Sequence, residues 1–291
     1  MAACGKRAFG ADLRGARVAV VLTLLMTGCG QSPPPTEPIA PPPAPAPAKT
    51  VSAEALLHQP FAEATITDPP PADQRLPDVT MTGKSVGKLF LEVTRIWDSI
   101  RFTTPSGKPL AYRAVLDTEL GAIEITLRPD WAPNHVRNFV ALAQVGYYDG
   151  LVFQRTIHEE SSERPDARLD LIEAGCPLGT GDHGHGSIGY WLKPEFNKDI
   201  RHEEGTVGAS RAEDPNSAAC KFYITLCRAP VMDGEFTVFG RVSKGLDVAR
   251  KIFSQPVRND PEYPEGDRPE KPIVIRKVTI HAQEVEQWAG P

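Results

Sequence analysis

The chain is 291 residues long, 41% apolar and 24% charged, with 29 prolines and a formal net charge of −5. A negative chain without a basic cluster is a poor nucleic-acid binder. Its scattered Ser, His and Asp residues form no nucleophile elbow, and no Cys or carboxylate spacing around His183 and His185 completes a zinc pattern, so neither hydrolase chemistry nor a metal or other cofactor is expected.

In chain order, residues 1–28 read as a targeting segment. Lys6, Arg7, Arg14 and Arg17 make a basic start, and the apolar run Val18 to Met26 is too short to span a bilayer as a stable helix. Met26-Thr27-Gly28-Cys29 resembles a bacterial lipoprotein cleavage box with Cys29 as the lipid-bearing residue, although Met26 stands where Leu is usual. The alternative is an ordinary secretory signal with an incidental cysteine. Removal of four basic residues and Asp12 takes away a net +3, so the exported chain carries −5 − 3 = −8. Residues 29–50 are a tether: Gln31 to Thr50 holds nine prolines, which bar helix and sheet interior and leave an extended spacer.

Residues 51–110 form an N-terminal extension. Val51 to Pro77 reads mostly as loop. Val86, Leu89, Phe90, Val93, Ile96, Trp97 and Ile100 repeat at helical spacing, which predicts an amphipathic helix starting near Thr82 or Ser85. Its apolar stripe is expected to dock on the main domain rather than serve an outside partner. Gly83-Lys84-Ser85 has the ending of a phosphate-binding loop, but position 78 is Asp78 and no strand precedes it, so nucleotide binding is rejected.

Ala111 to Thr118 and Gly121 to Leu127 read as strands joined by a turn. Pro133 fits an early helical position, and Val136, Phe139, Val140 and Ala143 would bury one face of the helix that follows. Phe153-Gln154-Arg155 comes next. A charged stretch from His158 to Arg168 is either solvated loop or a flap that screens substrates. A Gly-rich stretch runs from Gly179 to Gly189, a second helix from about Leu246 to Phe253, and a last strand from Ile273 to His281. Periodicity alone gives a mostly-β domain with two helices.

Three pieces in order, Phe153-Gln154-Arg155, Pro215-Asn216-Ser217-Ala218-Ala219-Cys220-Lys221-Phe222-Tyr223-Ile224, and Met232-Asp233-Gly234-Glu235-Phe236-Thr237-Val238-Phe239-Gly240, resemble the cyclophilin family of peptidyl-prolyl cis/trans isomerases. The likeness covers residues 111–285 and leaves 286–291 as a tail. It implies a closed eight-stranded antiparallel barrel with a helix over each open end. It also implies that Arg155 is the catalytic arginine and that Leu171, Tyr223, Met232 and Phe236 form the proline socket, with Glu173, Ser210, Arg211 and Lys221 in the substrate-binding site. Strand alternation independently makes Leu171 and Glu173 face one way and makes Lys221 and Tyr223 share a face, leaving Phe222 and Ile224 for the core.

The chain departs from the family where Glu173 and Lys221 replace two glutamines, Asp170 a phenylalanine, Val231 a tryptophan, Phe236 a histidine, and Ser210 an alanine. The first two look like a paired exchange that creates a charge network with Arg155. An exported location permits disulfides. Cys176 and Cys220 flank site positions and are the preferred pair, free buried thiols being the equal alternative. The targeting segment and the resemblance together imply an exported, lipid-anchored prolyl isomerase on the periplasmic side or outer membrane, acting on proline-containing polypeptides, with activity reduced by those exchanges. The alternatives are a non-catalytic module gripping proline-containing segments of an envelope partner, and a scaffold whose work is done by residues 51–110.

Overall fold

Strand alternation generates the barrel. In β1 (Leu110–Thr118) and β2 (Gly121–Leu127), Ala114, Leu116, Ile123, Ile125 and Leu127 point inward while their neighbours face out. The remaining barrel strands are β3 (Val152–Glu159), β4 (Leu169–Ala174), β5 (Thr206–Ala209), β6 (Phe222–Thr225), β7 (Val238–Lys244) and β8 (Ile273–Glu284). They pair antiparallel in the order β8-β1-β2-β7-β5-β6-β4-β3, and β3 returns to β8 through Phe153 against Ile273. Closure leaves no free sheet edge. This is a computed structural model; it describes residues 57, 59–160, 168–258 and 268–288, all of them in the compact unit Lys49–Pro291. The targeting segment, Cys29 and the tether lie outside the described residues, as do 161–167 of the charged stretch. Much of the rest of that stretch lengthens the β3–β4 hairpin, where His158 pairs with Asp170 and Glu159 with Leu169.

Among the described residues the three helices of eight residues or more are α1 (Val86–Ile96), α2 (Pro133–Gln144) and α3 (Leu246–Phe253). Ser85 caps α1, its hydroxyl accepting from Lys88 N, which satisfies an orphan amide of the first turn. Lys84 donates to the carbonyls of Gly146 and Asp149, so its ammonium ties the extension to the turn after α2. Helix α3 packs Val248, Ala249 and Ile252 into the barrel core.

Helix α2 is buried all round, not on one face. Val136, Phe139 and Val140 enter the barrel core, and Phe139 meets Tyr148, Phe222 and Phe239. The opposite, polar face is also buried because the extension covers it. Arg137 donates to the carbonyls of Ile100 and Gln59 and lies over the rings of Trp97 and Phe102. Asn134, His135, Arg137 and Asn138 each make at least one protein hydrogen bond in place of water, which is what makes such burial tolerable. The apolar stripe of α1 thus docks on the domain, as its pattern implies. Phe61 makes edge-to-face contacts with Phe90, Trp97 and Tyr190. The segment before it, read from sequence as loop, contains a helical turn, Phe61–Ala64, and a short strand, Thr65–Ile66, paired with Trp191–Leu192.

Candidate active site

Three adjacent strands set out the site in one row. Arg155 on β3 stands opposite Glu173 on β4, and Glu173 stands opposite Tyr223 on β6. Directly opposed residues share a face of the sheet, so these side chains leave the barrel wall on the same side. Two residues along, Ile157 pairs with Leu171 on that face, while Ile172, Phe222 and Ile224 enter the core. A bulge between Phe153 and Arg155 adds one residue to β3, so Gln154 and Arg155 both come up against Glu173. Bulges re-aim side chains in this way, and Gln154 Nε2 donates to Glu173 Oε1 at 2.9 Å.

The polar half of the site is nearly dry. Arg155 is 6% exposed, and Glu173 and Lys221 are 3% each. Lys221 Nζ lies 3.8 Å from Glu173 Oε1 and reaches the carbonyl of Asp182 at 3.5 Å. Burial alone would push the Glu173 carboxyl up, but Lys221, Arg155, Ser210 and Gln154 together outweigh it and hold the group below its ordinary range. The buried Ser210 hydroxyl, without a hydrogen-bond partner among the described residues, favours that charge by proximity.

Arg155 is held from the other side. Its Nη1 donates to His183 Nε2 at 3.1 Å, and its buried Nε has no partner among the described residues. The expected network therefore forms around Glu173, while the direct hydrogen bond of the guanidinium goes to a histidine on the glycine-rich loop. The stem of Arg155 runs under Gly181, where an added Cβ would sit 2.8 Å from Cγ and Cδ and where φ is +82°. Only glycine fits both conditions without strain.

The apolar half consists of Leu171, Tyr223, Ala229 and Met232, with Ile157, Leu169 and Phe236 packed against them. The centre is closed and the rim is formed by the half-buried Phe236 and Ile157. Arg211 lies with its guanidinium 4.4 Å above the Phe236 ring and donates to the carbonyls of Glu235, Ala212 and Glu213. The Tyr223 hydroxyl bonds His202 Nε2 at 2.8 Å, and the other nitrogen of that ring faces Asp233, itself paired with Arg228. This buried chain fixes the floor of the socket to the loop that carries Met232. Asp170 does not line the socket. It turns to His158 and Arg168, and Leu169 supplies apolar contact instead.

All nine binding or catalytic positions expected from the sequence thus gather on one side of the barrel, with Ser210 and Arg211 at the junction of the two halves. Sequence reasoning missed His183 as a partner of Arg155, Gln154 as a partner of Glu173, and the His202–Asp233 support. The preferred Cys176–Cys220 disulfide is absent: Cys176, Cys220 and Cys227 are free thiols, and burial pushes Cys220 up to about 12. Among the described residues no cluster of three or more His, Cys, Asp or Glu side chains is placed to hold a metal.

The family model described as "Cyclophilin type peptidyl-prolyl cis-trans isomerase/CLD" matches residues 113–280, more than half of the chain. The chain belongs to the cyclophilin-type peptidyl-prolyl cis-trans isomerases. It is 36% identical over 163 residues to peptidyl-prolyl cis-trans isomerase ppi1 of Schizosaccharomyces pombe, covering 56% of this chain and 95% of that protein. It is 30% identical over 208 residues to mouse peptidylprolyl isomerase domain and WD repeat-containing protein 1, covering 71% of this chain but 30% of that protein. A solved cyclophilin type isomerase from Cryptosporidium parvum aligns with a TM-score of 0.50 at 24% identity, covering 59% of this chain and 98% of its own, a likeness that bears on the fold. The family-model match begins on β1, so α1, Phe61 and Trp97 lie ahead of it.

Proposed function

We propose that Arg155 is the catalytic group of this cyclophilin and that the Leu171, Tyr223, Met232 and Phe236 surface receives the proline ring. Rotation about an X-Pro bond crosses a barrier of roughly 18–20 kcal/mol because the planar amide is resonance-stabilised. In the twisted state the nitrogen lone pair is free to accept. A fixed donor beside that nitrogen, or on the neighbouring carbonyl, therefore binds the twisted state better than either planar form, and no bond has to break. The observation that carries this reading is a buried guanidinium with a spare donor, one strand row from an apolar cluster.

The test is isomerisation of a short Ala-Pro peptide by the full chain beside Arg155→Ala. Loss of one preorganised donor should lower kcat/KM by about 10²–10³-fold. Equal rates in the two proteins, or none in either, would reject Arg155 as the catalyst. They would favour a non-catalytic module that grips proline-containing segments, a reading supported by the closed centre of the apolar cluster and by the Glu173–Lys221 pair.

The chain is further proposed to act outside the cytoplasm on exported polypeptides, anchored through a lipid on Cys29 at the periplasmic side or outer membrane. Support comes from the order of basic start, short apolar run and cysteine, followed by a proline-rich spacer. Radioactive fatty acid should label the chain in its native cell and fail to label Cys29→Ser; equal labelling of both would sink the anchor.

A further inference from the structure

We propose that His183 is a positioning residue for Arg155, held in place by residues 72–75 of the N-terminal extension. This inference rests on the reading of Arg155 as the catalytic group. Every nitrogen of an arginine carries hydrogen, so in the 3.1 Å contact the donor is Arg155 Nη1 and the acceptor is the lone pair of His183 Nε2. The contact requires a neutral imidazole with its proton on Nδ1. Protonation would remove the acceptor and set two cations side by side.

The histidine sits on a loop with glycine at 181, 184 and 186, which has little stiffness of its own. The extension supplies it. Gln74 Nε2 donates to the His183 carbonyl at 3.0 Å, and Arg75 N donates to the Gly184 carbonyl at 2.7 Å. Gln74 Oε1 accepts from the buried Trp191 indole at 3.2 Å, and Trp191 belongs to the short strand paired with Thr65–Ile66. The backbone of Asp73 lies so close that a Cβ on Gly184 would come within 2.9 Å of its carbonyl. Together the two segments and the 211–214 turn enclose a groove of about 690 Å³.

Among the described residues, charged groups around His183 include Asp182 and His185 on its own loop, paired with each other at 2.7 Å, Arg155 on β3, Asp73 and Arg75 on the extension, and Arg211, Glu213 and Asp214 across the groove. Lys221 approaches from β6 through the Asp182 carbonyl. None of these replaces an acceptor at Nε2. The extension, which precedes the family-model match, thus reaches the catalytic arginine through one glutamine and one histidine.

The experiment measures kcat and KM for the Ala-Pro peptide from pH 5 to 8.5 with the full chain, His183→Leu, His183→Gln and Gln74→Ala. His183→Leu should lose about tenfold in kcat at pH 7.5 with KM within about twofold, the scale of one hydrogen bond of roughly 1.4 kcal/mol. His183→Gln, whose amide oxygen can still accept, should recover most of that loss and lack the acid limb of the parent profile. Gln74→Ala should fall between them. A His183→Leu protein with the parent kcat and acid limb overturns the proposal while leaving the catalytic role of Arg155 intact. Should His183→Leu fail to fold, the profile of His183→Gln decides alone. An inactive parent would reject the catalytic reading, and the imidazole ¹⁵N shifts of His183 would still decide this one. An unprotonated Nε2 that changes in Arg155→Lys supports the contact, and a protonated Nε2 at pH 7.5 refutes it.

Discussion

The Glu173–Lys221 pair gives the sharpest test of how the site is held together. At 3.8 Å, unit charges in surroundings of effective dielectric near 20 attract by about 4 kcal/mol. Removing both ions from water costs several kcal/mol each, so such a pair adds little net stability, whereas leaving one partner alone costs about 3–5 kcal/mol. The two single variants should differ. Lys221→Gln leaves Glu173 with the Gln154 amide and the field of Arg155, and should cost about 3 kcal/mol, the low end of that range. Glu173→Gln leaves a buried ammonium with a long contact to the Asp182 carbonyl, and should cost about 5 kcal/mol, the high end. The double variant, neutral at both positions, should fall within about 1 kcal/mol of the parent. Urea midpoints at constant slope read these differences. The acid limb supplies a second reading. The Glu173 carboxyl is held lower in the folded chain than in the unfolded one. Its contribution is therefore complete above the ordinary carboxylate range, about pH 4.3, and is lost as pH falls through the folded value. The double variant should lack that loss. It should also turn over the Ala-Pro peptide a few-fold faster, because Arg155 no longer faces a fixed carboxylate. Single variants no more destabilised than the double would refute the pair as a coupled unit, and unchanged or slower turnover would refute its restraint on catalysis.

Gly181→Ala should push the stem of Arg155 aside and force a side chain into φ +82°, costing about 1–3 kcal/mol of stability and lowering kcat at least tenfold; parent-like kcat would show that the arginine does not depend on this contact. Burial lowers the pKa of His202, with the Asp233 bond opposing it only in part. The unfolded chain therefore takes up the proton first as pH falls. Stability should be complete above about pH 6.5 and decline as pH drops through the folded value, a slope that calorimetry should find reduced in His202→Gln. Trp97 is fully buried beneath Arg137 and bonded to the Gln59 carbonyl. Trp97→Ala should cost about 3–5 kcal/mol. A loss under about 1 kcal/mol would contradict the view that the extension is part of the folding unit.

Much of the barrel was legible because a period of two survives in most of its strands. Alternation was enough to pair Leu171 with Glu173 on one face, to pair Lys221 with Tyr223, and to send Phe222 and Ile224 to the core; the register that joins the two pairs came from the fold. The features that escaped depend on contacts between distant segments. Asn134, His135, Arg137 and Asn138 have the composition of a solvent face, yet all are buried. Covering segments bring a partner to each: Asn134 meets Gln59, His135 meets Glu195, Arg137 meets the carbonyls of Gln59 and Ile100, and Asn138 meets the Ala219 carbonyl. The bulge at Gln154 is one residue of register and has no compositional mark. Asp170 sits at a position aligned with a family phenylalanine, but its carboxylate is drawn to His158 and Arg168, and a charge with two partners within reach does not stay in an apolar socket.

The same reasoning explains why the extension and the site belong together. A domain starting at β1 would leave Arg137 and the Asn134 amide of α2 to water and the 181–186 loop to its glycines. In this chain a single added segment meets both needs, since Gln59 serves α2 while Gln74 and Arg75 serve the loop. The energetic link between them is testable as a coupling. If Trp97→Ala loosens the extension, it should lower kcat in the parent by the same route as Gln74→Ala, and the two losses should not add. Additive losses would mean that the extension stabilises the fold and steadies the arginine by separate means.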